Sequence, residues 1–256
     1  KNRKPGRFLL SGSANFLLLK KVAESLAGRA VYFTLYPFTR REMFGLTKEK
    51  PALAYFIDKG TFPKREIKPI LLQEILKGGM PSVCLGQVKK PEIWFRGYEQ
   101  TYLERDIRTL SQVADLVSFR NLLQLVAFRN TKILNISELA RDAKLNVVTT
   151  SRYLSLMETS FILNRIQPHL KNKTSRLVKS PKLYLSDTGL AAYLEEIRNL
   201  NINEMSKGML LESYVAQNLE GIFSAYYPDA KITHWNIQGR YEVDFIIDDH
   251  TAIEAK

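Results

Sequence analysis

Apolar residues recur along this chain first at strand spacing, then mainly at helical spacing, and at strand spacing again near its end. Phe8, Leu9 and Leu10 form a short apolar run that stops at Ser11-Gly12-Ser13, which predicts a strand and a turn within 7–14. Phe16, Leu19, Ala23 and Leu26 place a helix from about Asn15 to Ala27, and Gly28 ends it. Residues 30–36 are β-branched and aromatic, a second strand stopped by Pro37. Thr39 with Glu42 three residues on is a capping box, which starts another helix. Residues 41–130 read mostly as helices, with a break at Gly78-Gly79-Met80-Pro81 and a long amphipathic helix over 91–110.

The pattern then becomes more specific. Ile136, Leu139, Ala140 and Ala143 give a short helix capped by Asn135 or Ser137. After a tight connection at 145–148, a second helix follows, capped by Thr149 or Thr150 and running to Glu158. Phe161 to Ile166 and Lys182 to Leu185 form a two-stranded wing. Helix, turn, helix and hairpin make the pattern of a winged helix-turn-helix. Asp187-Thr188-Gly189-Leu190 starts another helix, and Met205 to Leu219 forms a longer one. Strands are expected at 231–237, 241–247 and 251–256. In the second, Tyr241, Val243, Phe245 and Ile247 share one face, and Glu242, Asp244 and Asp248 share the other.

Composition narrows the class. Of 256 residues, 45% are hydrophobic and 25% charged, which excludes a disordered polymer. No apolar run reaches the roughly 20 residues of a membrane helix. The single cysteine, Cys84, excludes a disulfide framework and a Cys-based zinc site. A cytoplasmic protein with no membrane partner is expected. The formal charge of +12 is uneven: residues 1–50 carry +8, residues 51–200 carry +9, and residues 201–256 carry −5. The basic part suits a polyanion such as DNA. The acidic part calls for a separate use, and metal ligation is one.

Four residues of that acidic part stand in a meaningful order. Glu212 lies on a helix four residues after Gly208, Asp244 on a strand, and Glu254 and Lys256 on one face of the next strand. Antiparallel pairing of these two strands brings Asp244 beside Glu254. Carboxylates are hard ligands for Mg2+. The metal would polarise a phosphate and acidify a bound water, with the lysine positioning that water. This order of Gly-xxx-Glu, Asp and Glu-x-Lys resembles the PD-(D/E)XK restriction-endonuclease-like nucleases. That resemblance implies Glu212, Asp244 and Glu254 as metal ligands and Lys256 as a catalytic residue. The plainer alternative is an exposed ion pair on an edge strand.

A second resemblance covers nearly the whole chain. Its residues are Arg7 to Ala14, Leu26-Ala27-Gly28-Arg29-Ala30, Leu35-Tyr36-Pro37-Phe38-Thr39 with Glu42, Gly78-Gly79-Met80-Pro81, Tyr102 to Ile107, and Ser180-Pro181-Lys182-Leu183-Tyr184 running into Asp187-Thr188-Gly189. Together they look like prokaryotic ATPases that join an AAA-type domain, a winged helix and an endonuclease-like domain of unassigned function. The resemblance implies a sensor strand with Ser11 or Ser13 near a nucleotide γ-phosphate. It also implies Arg29 as a phosphate-contacting arginine; a cation after a helix C-cap is the alternative. The chain contains no G-x-x-x-x-G-K-[ST], begins at Lys1 and ends inside an expected strand, so a fragment of a longer protein is expected. ATP is then a ligand of the longer protein and not of this chain alone.

The expected fold class is α/β with a mostly helical middle. It comprises the C-terminal part of an AAA-type P-loop domain (1–45), a helical lid or linker (46–118), a winged helix-turn-helix (119–186) and an incomplete nuclease-like domain (187–256). Thr150, Arg152, Ser155, Lys171 and Lys173 are the candidate DNA contacts; the winged module could instead be a spacer or subunit contact. The function expected is ATP-linked action on DNA with Mg2+-dependent cleavage. The alternatives are a non-catalytic DNA-binding or protein-interaction module and a purely protein-directed regulator. The AAA resemblance further implies a homo-oligomer.

Overall fold

The computed structural model describes residues 6, 8–9, 11–12, 29–64, 68–102, 107, 115–170, 179–197, 200, 202–237 and 241–256. The expected helix from Asn15 to Ala27, most of strand 7–14, and Ser13, Lys171 and Lys173 lie outside these residues. Residues 30–36 form no strand, unlike the expectation, and Val31, Phe33 and Leu35 are all exposed.

The elements run as ten helices and five strands among the described residues. The first is α1 (Arg40–Met43), whose Thr39–Glu42 capping box forms as expected. A 3-10 turn at Leu46–Lys48 follows, then α2 (Ala52–Lys59), α3 (Leu72–Lys77), α4 (Pro81–Cys84) and α5 (Pro91–Thr101). Next come α6 (Leu116–Ala127), α7 (Ile136–Asp142) and α8 (Val147–Thr159). The hairpin strands are β1 (Leu163–Pro168) and β2 (Lys182–Leu185). The chain closes with α9 (Thr188–Leu194), α10 (Glu204–Tyr226), β3 (Ile232–Ile237), β4 (Tyr241–Ile247) and β5 (Thr251–Ile253).

Short polar side chains start these helices by accepting an otherwise orphaned N–H. Asn135 does so for α7 and Asn203 for α10. In α8 the cap is Asn146, which accepts from Thr149 N–H at 2.7 Å, so the helix begins before the two threonines expected to cap it. Apolar residues of α10 at positions 210, 214, 216, 219 and 223 recur every two to four residues and are buried.

The strands form one sheet in the order β2-β1-β3-β4-β5. The β1–β2 hairpin is antiparallel, β1 runs parallel to β3, and β3–β4–β5 is an antiparallel meander. The hairpin and the C-terminal strands therefore share a sheet that crosses position 186. Three cores support it. Phe119, Leu122, Leu139, Leu154, Met157, Leu163 and Leu183 bind α6, α7 and α8 to the hairpin. Ile166, Tyr184, Leu219, Phe223, Phe245 and Ile247 bind α10 to the sheet. Ile75, Ala192, Leu210 and Tyr214 join α3, α9 and α10. Burying each Leu, Ile or Phe contributes roughly 1.5–3 kcal/mol.

Three of the segments that carry the ATPase resemblance, around Phe38, Gly79 and Asp187, meet at one buried junction. Asp187 is fully buried and accepts N–H bonds from Gly79 at 2.6 Å, Met80 at 3.1 Å and Leu190 at 2.8 Å. Phe38 N–H donates to the Gly79 carbonyl at 2.8 Å. Gln217 of α10 joins both sides: its amide donates to the Phe38 carbonyl and accepts from Thr188 N–H. Gly78 has φ +67°, and a Cβ there would lie 2.5 Å from the Asp187 carboxylate, so the close approach requires glycine.

Candidate functional site

A lysine and three carboxylates meet where α10 crosses the sheet. Lys182 and Tyr184 alternate with Leu183 and Leu185 along β2, so they share a face. Glu212 lies on α10, two turns beyond its start, and Glu242 and Asp244 lie on β4. The Lys182 Nζ is 2.8 Å from Glu212 Oε1 and 3.5 Å from Asp244 Oδ1, and it also forms an ion pair with Glu242. Tyr184 OH donates to the same Glu212 oxygen at 2.6 Å. Asp244 Oδ2 accepts the Ala255 N–H at 3.0 Å, which ties the end of the chain to the cluster.

Burial sets the electrostatics. The Lys182 side chain is only 3% exposed, while that of Glu242 is 44% exposed. Burial alone would drive the ammonium to lose its proton, but Glu212 and Glu242 outweigh it and hold Lys182 above its ordinary value. Burial raises the Glu212 carboxyl, opposed by Lys182 and Tyr184. The Tyr184 hydroxyl is raised by burial and then by Glu212, so it stays a donor. His234, 2% exposed, is pushed down to about 4 by burial and then by Lys182, and is neutral at neutral pH.

Two of the four expected site residues, Glu212 and Asp244, are thus brought to one cation. Continuing the Phe245–Ile253 register places Glu254 opposite Asp244, but Glu254 pairs with Lys256. The Lys256 side chain is 84% exposed and stands outside the contacts of the cluster described above. Sequence reasoning missed Lys182, Tyr184 and Glu242. Their signal was present in Ser180-Pro181-Lys182-Leu183-Tyr184: a lysine and a tyrosine alternate with leucines in a strand buried on both faces.

The donor chemistry suits Mg2+, since carboxylate oxygens are its preferred ligands. The arrangement does not: the Lys182 ammonium stands where the three carboxylates converge. Among the described residues, no three His, Cys, Asp or Glu side chains are placed to hold a metal ion.

The other candidates fall elsewhere. Thr150 is fully buried and its hydroxyl donates to the Asn146 carbonyl at 3.0 Å, so it packs the helix and presents nothing to DNA. Arg152 and Ser155 are exposed on α8; Arg152 lies over the Tyr153 ring and Ser155 accepts from Arg165. Ser11 and Arg29 are exposed. Trp94 stacks on Tyr98 at the edge of the helical core, and Cys84 is half-buried. Among the described residues, no helix is long and apolar enough to cross a membrane.

Comparison with known proteins adds context to this geometry. Residues 68–204 match a family described as a domain of unknown function (DUF8612), and residues 1–44 are similar to part of an AAA domain, which points to an ATPase-like protein. The chain is 26% identical over 247 residues to "Uncharacterized protein Rv2008c" of Mycobacterium tuberculosis and, equally, to "Uncharacterized protein Mb2031c" of Mycobacterium bovis, covering 95% of this chain and 50% of each relative. An uncharacterized protein of Haemophilus influenzae is 24% identical over 188 residues, covering 71% of this chain and 44% of the relative. The chain thus spans about half the length of the curated relatives it matches. No solved structure matches it significantly.

Proposed function

Since the chain belongs to the family of the domain of unknown function (DUF8612), we propose that it is the DNA-binding, non-cleaving part of an AAA-type ATPase. The observation that carries this reading is the Lys182 ammonium buried among Glu212, Glu242 and Asp244. Three carboxylates against one ammonium leave an excess of negative charge. Without a divalent cation, that excess repels a scissile phosphate. The C-terminal unit keeps the element order of a nuclease-like fold while its acidic residues hold the protein together.

Binding is assigned to the part that precedes it. Helix α6, a bridge at Ile133–Lys182, helices α7 and α8, and the β1–β2 hairpin follow one another in winged-helix order. Residues 51–200 carry +9 and residues 1–50 carry +8, a charge suited to phosphates. Arg152 and Ser155 on α8, with Lys171 and Lys173, which lie between β1 and β2 in sequence, are the proposed contacts. ATP would bind to the longer protein, with Ser11, Ser13 and Arg29 toward its phosphates, and AAA-type assembly would make it a homo-oligomer.

The test is filter binding of duplex DNA across a salt series, with Mg2+ or Mn2+ present and the DNA then run on a gel. Binding that weakens steeply with salt, and DNA that stays intact, are expected. Cleavage that disappears in Asp244→Ala would establish the second reading. It is favoured by the register that sets Glu254 opposite Asp244, with Glu212, Asp244 and Glu254 holding Mg2+ and Lys256 positioning water. Absence of DNA affinity would point to a protein-directed regulator.

A further inference from the structure

One face of α8 is left uncovered, with an apolar side chain at its head. Val148, Arg152 and Ser155 stand four and then three residues apart, which puts them on one side of the helix, and all three are exposed. Thr150, Tyr153, Leu154 and Met157 fall on the other side and are buried. Val148 is 79% exposed, more than any other large hydrophobic side chain among the described residues after Leu35. Nothing local calls for a valine there: a β-branched side chain loses freedom in a helix, and Asn146 already caps the turn. Glu158, the one carboxylate of α8, is paired with Arg165 at 2.9 Å, and Ser155 Oγ accepts from the same arginine at 3.3 Å. The face therefore offers a valine and one unopposed arginine to whatever covers it.

Charge identifies the occupant. Residues 116–185, from α6 through β2, hold 12 basic and 3 acidic side chains, a net +9. That equals the excess of the whole of residues 51–200, so the positive charge is concentrated in the stretch that carries this face. A polyanion complements it. The major groove of duplex DNA admits a helix, whereas that of duplex RNA is too narrow for side chains to read. Of the four bases, only thymine presents a methyl group in that groove. We propose that Val148 packs against thymine methyl groups, so that this chain prefers duplex DNA rich in A·T pairs. This rests on the DNA-binding reading and deepens it: Arg152 meets the backbone, and Val148 supplies a base preference that phosphate contacts do not. The first turn of a helix laid in the major groove is the part that reaches base edges, and Val148 lies in that turn.

The test uses the whole chain and two probes of equal length and charge: an alternating A·T duplex, and the same duplex with deoxyuridine in place of thymidine, which removes every methyl group and nothing else. Every base pair of the first carries a methyl, so the register of binding does not matter. Fluorescence anisotropy at one salt concentration reads both affinities. The wild type is expected to bind the deoxyuridine duplex about fourfold more weakly, the worth of one methyl group removed from water. Val148→Ser is expected to bind both duplexes alike, at the wild type's affinity for the deoxyuridine one. Val117→Ser, which alters another exposed valine on α6, is expected to keep the wild-type difference. Both valines are exposed, so circular dichroism should show both variants folded. Equal wild-type affinity for the two duplexes overturns the inference, while the DNA-binding reading stands on its own salt series. A difference that persists in Val148→Ser also overturns it, because duplex stiffness and not this side chain is then being read. If neither duplex binds at any salt concentration, the DNA-binding reading falls and this inference with it.

Discussion

Replacing Asp187 with alanine should destabilise the chain more than its single side chain suggests. The carboxylate is fully buried and accepts from the N–H groups of Gly79, Met80 and Leu190. Alanine leaves the buried Gly79 and Leu190 donors and the partly buried Met80 donor unpaired, at about 1–3 kcal/mol each. A credit offsets part of this. Burial raises the Asp187 carboxyl to about 6 from its ordinary 3.8, against the pull of the N–H donors. Keeping it ionised at neutral pH therefore costs about 3 kcal/mol. At about 2 kcal/mol for each donor, the net expected loss is about 3 kcal/mol. Asp187→Asn should lose less, because one acceptor oxygen survives to cap α9 while its amide meets the Gly79 and Met80 donors. Urea unfolding at neutral pH, read by tryptophan fluorescence, measures both variants. Alanine within about 0.5 kcal/mol of wild type would refute the junction's energetic role. A second signature follows from the same carboxyl. Its folded pKa lies above its unfolded one, so its contribution falls as pH rises from about 4 to about 6. Both variants should lose that slope.

Other residues give shorter tests. Phe245→Ala, fully buried between β4 and α10, should cost about 3–5 kcal/mol in the same assay. His234 has a folded pKa near 4, below the ordinary 6.5, so its contribution is present above 6.5 and is lost as pH falls toward 4. About 3 kcal/mol is at stake over that window, and His234→Gln should flatten the acid limb of a stability–pH profile. Arg152→Ala should weaken DNA binding at all sequences and reduce the salt slope by about 1 if this exposed side chain meets a phosphate. Thr150→Ser, in the core, should leave that slope unchanged.

Much of the fold could be read from period and caps. The helix at Ile136–Asp142, the strand at Tyr241–Ile247 and the Thr39 capping box follow local rules that tertiary contacts do not override. Glu212 and Asp244 were legible because order along helix and strand predicts which side chains meet. Lys182 was not, because a buried lysine makes sense only when its partners, from elements later in the chain, are in place. The parallel pairing of β1 with β3 was hidden for a related reason: strand patterning reveals which face is apolar but not which distant edge a strand joins. The cap at Asn146 was missed because Thr149 and Thr150, equally suited by residue type, stood close by.

That parallel pairing has a consequence during synthesis. The hairpin emerges from the ribosome complete, yet the edge of β1 that belongs to β3 remains open while α9 and α10 are still being translated. Until then Ile166 and Tyr184 lack the cover of α10, and the row of unpaired N–H and C=O groups is a template for a neighbouring nascent chain. Holding this edge with a chaperone should raise the soluble yield and slowing translation should lower it, because the vulnerable interval ends only when the last fifth of the chain arrives.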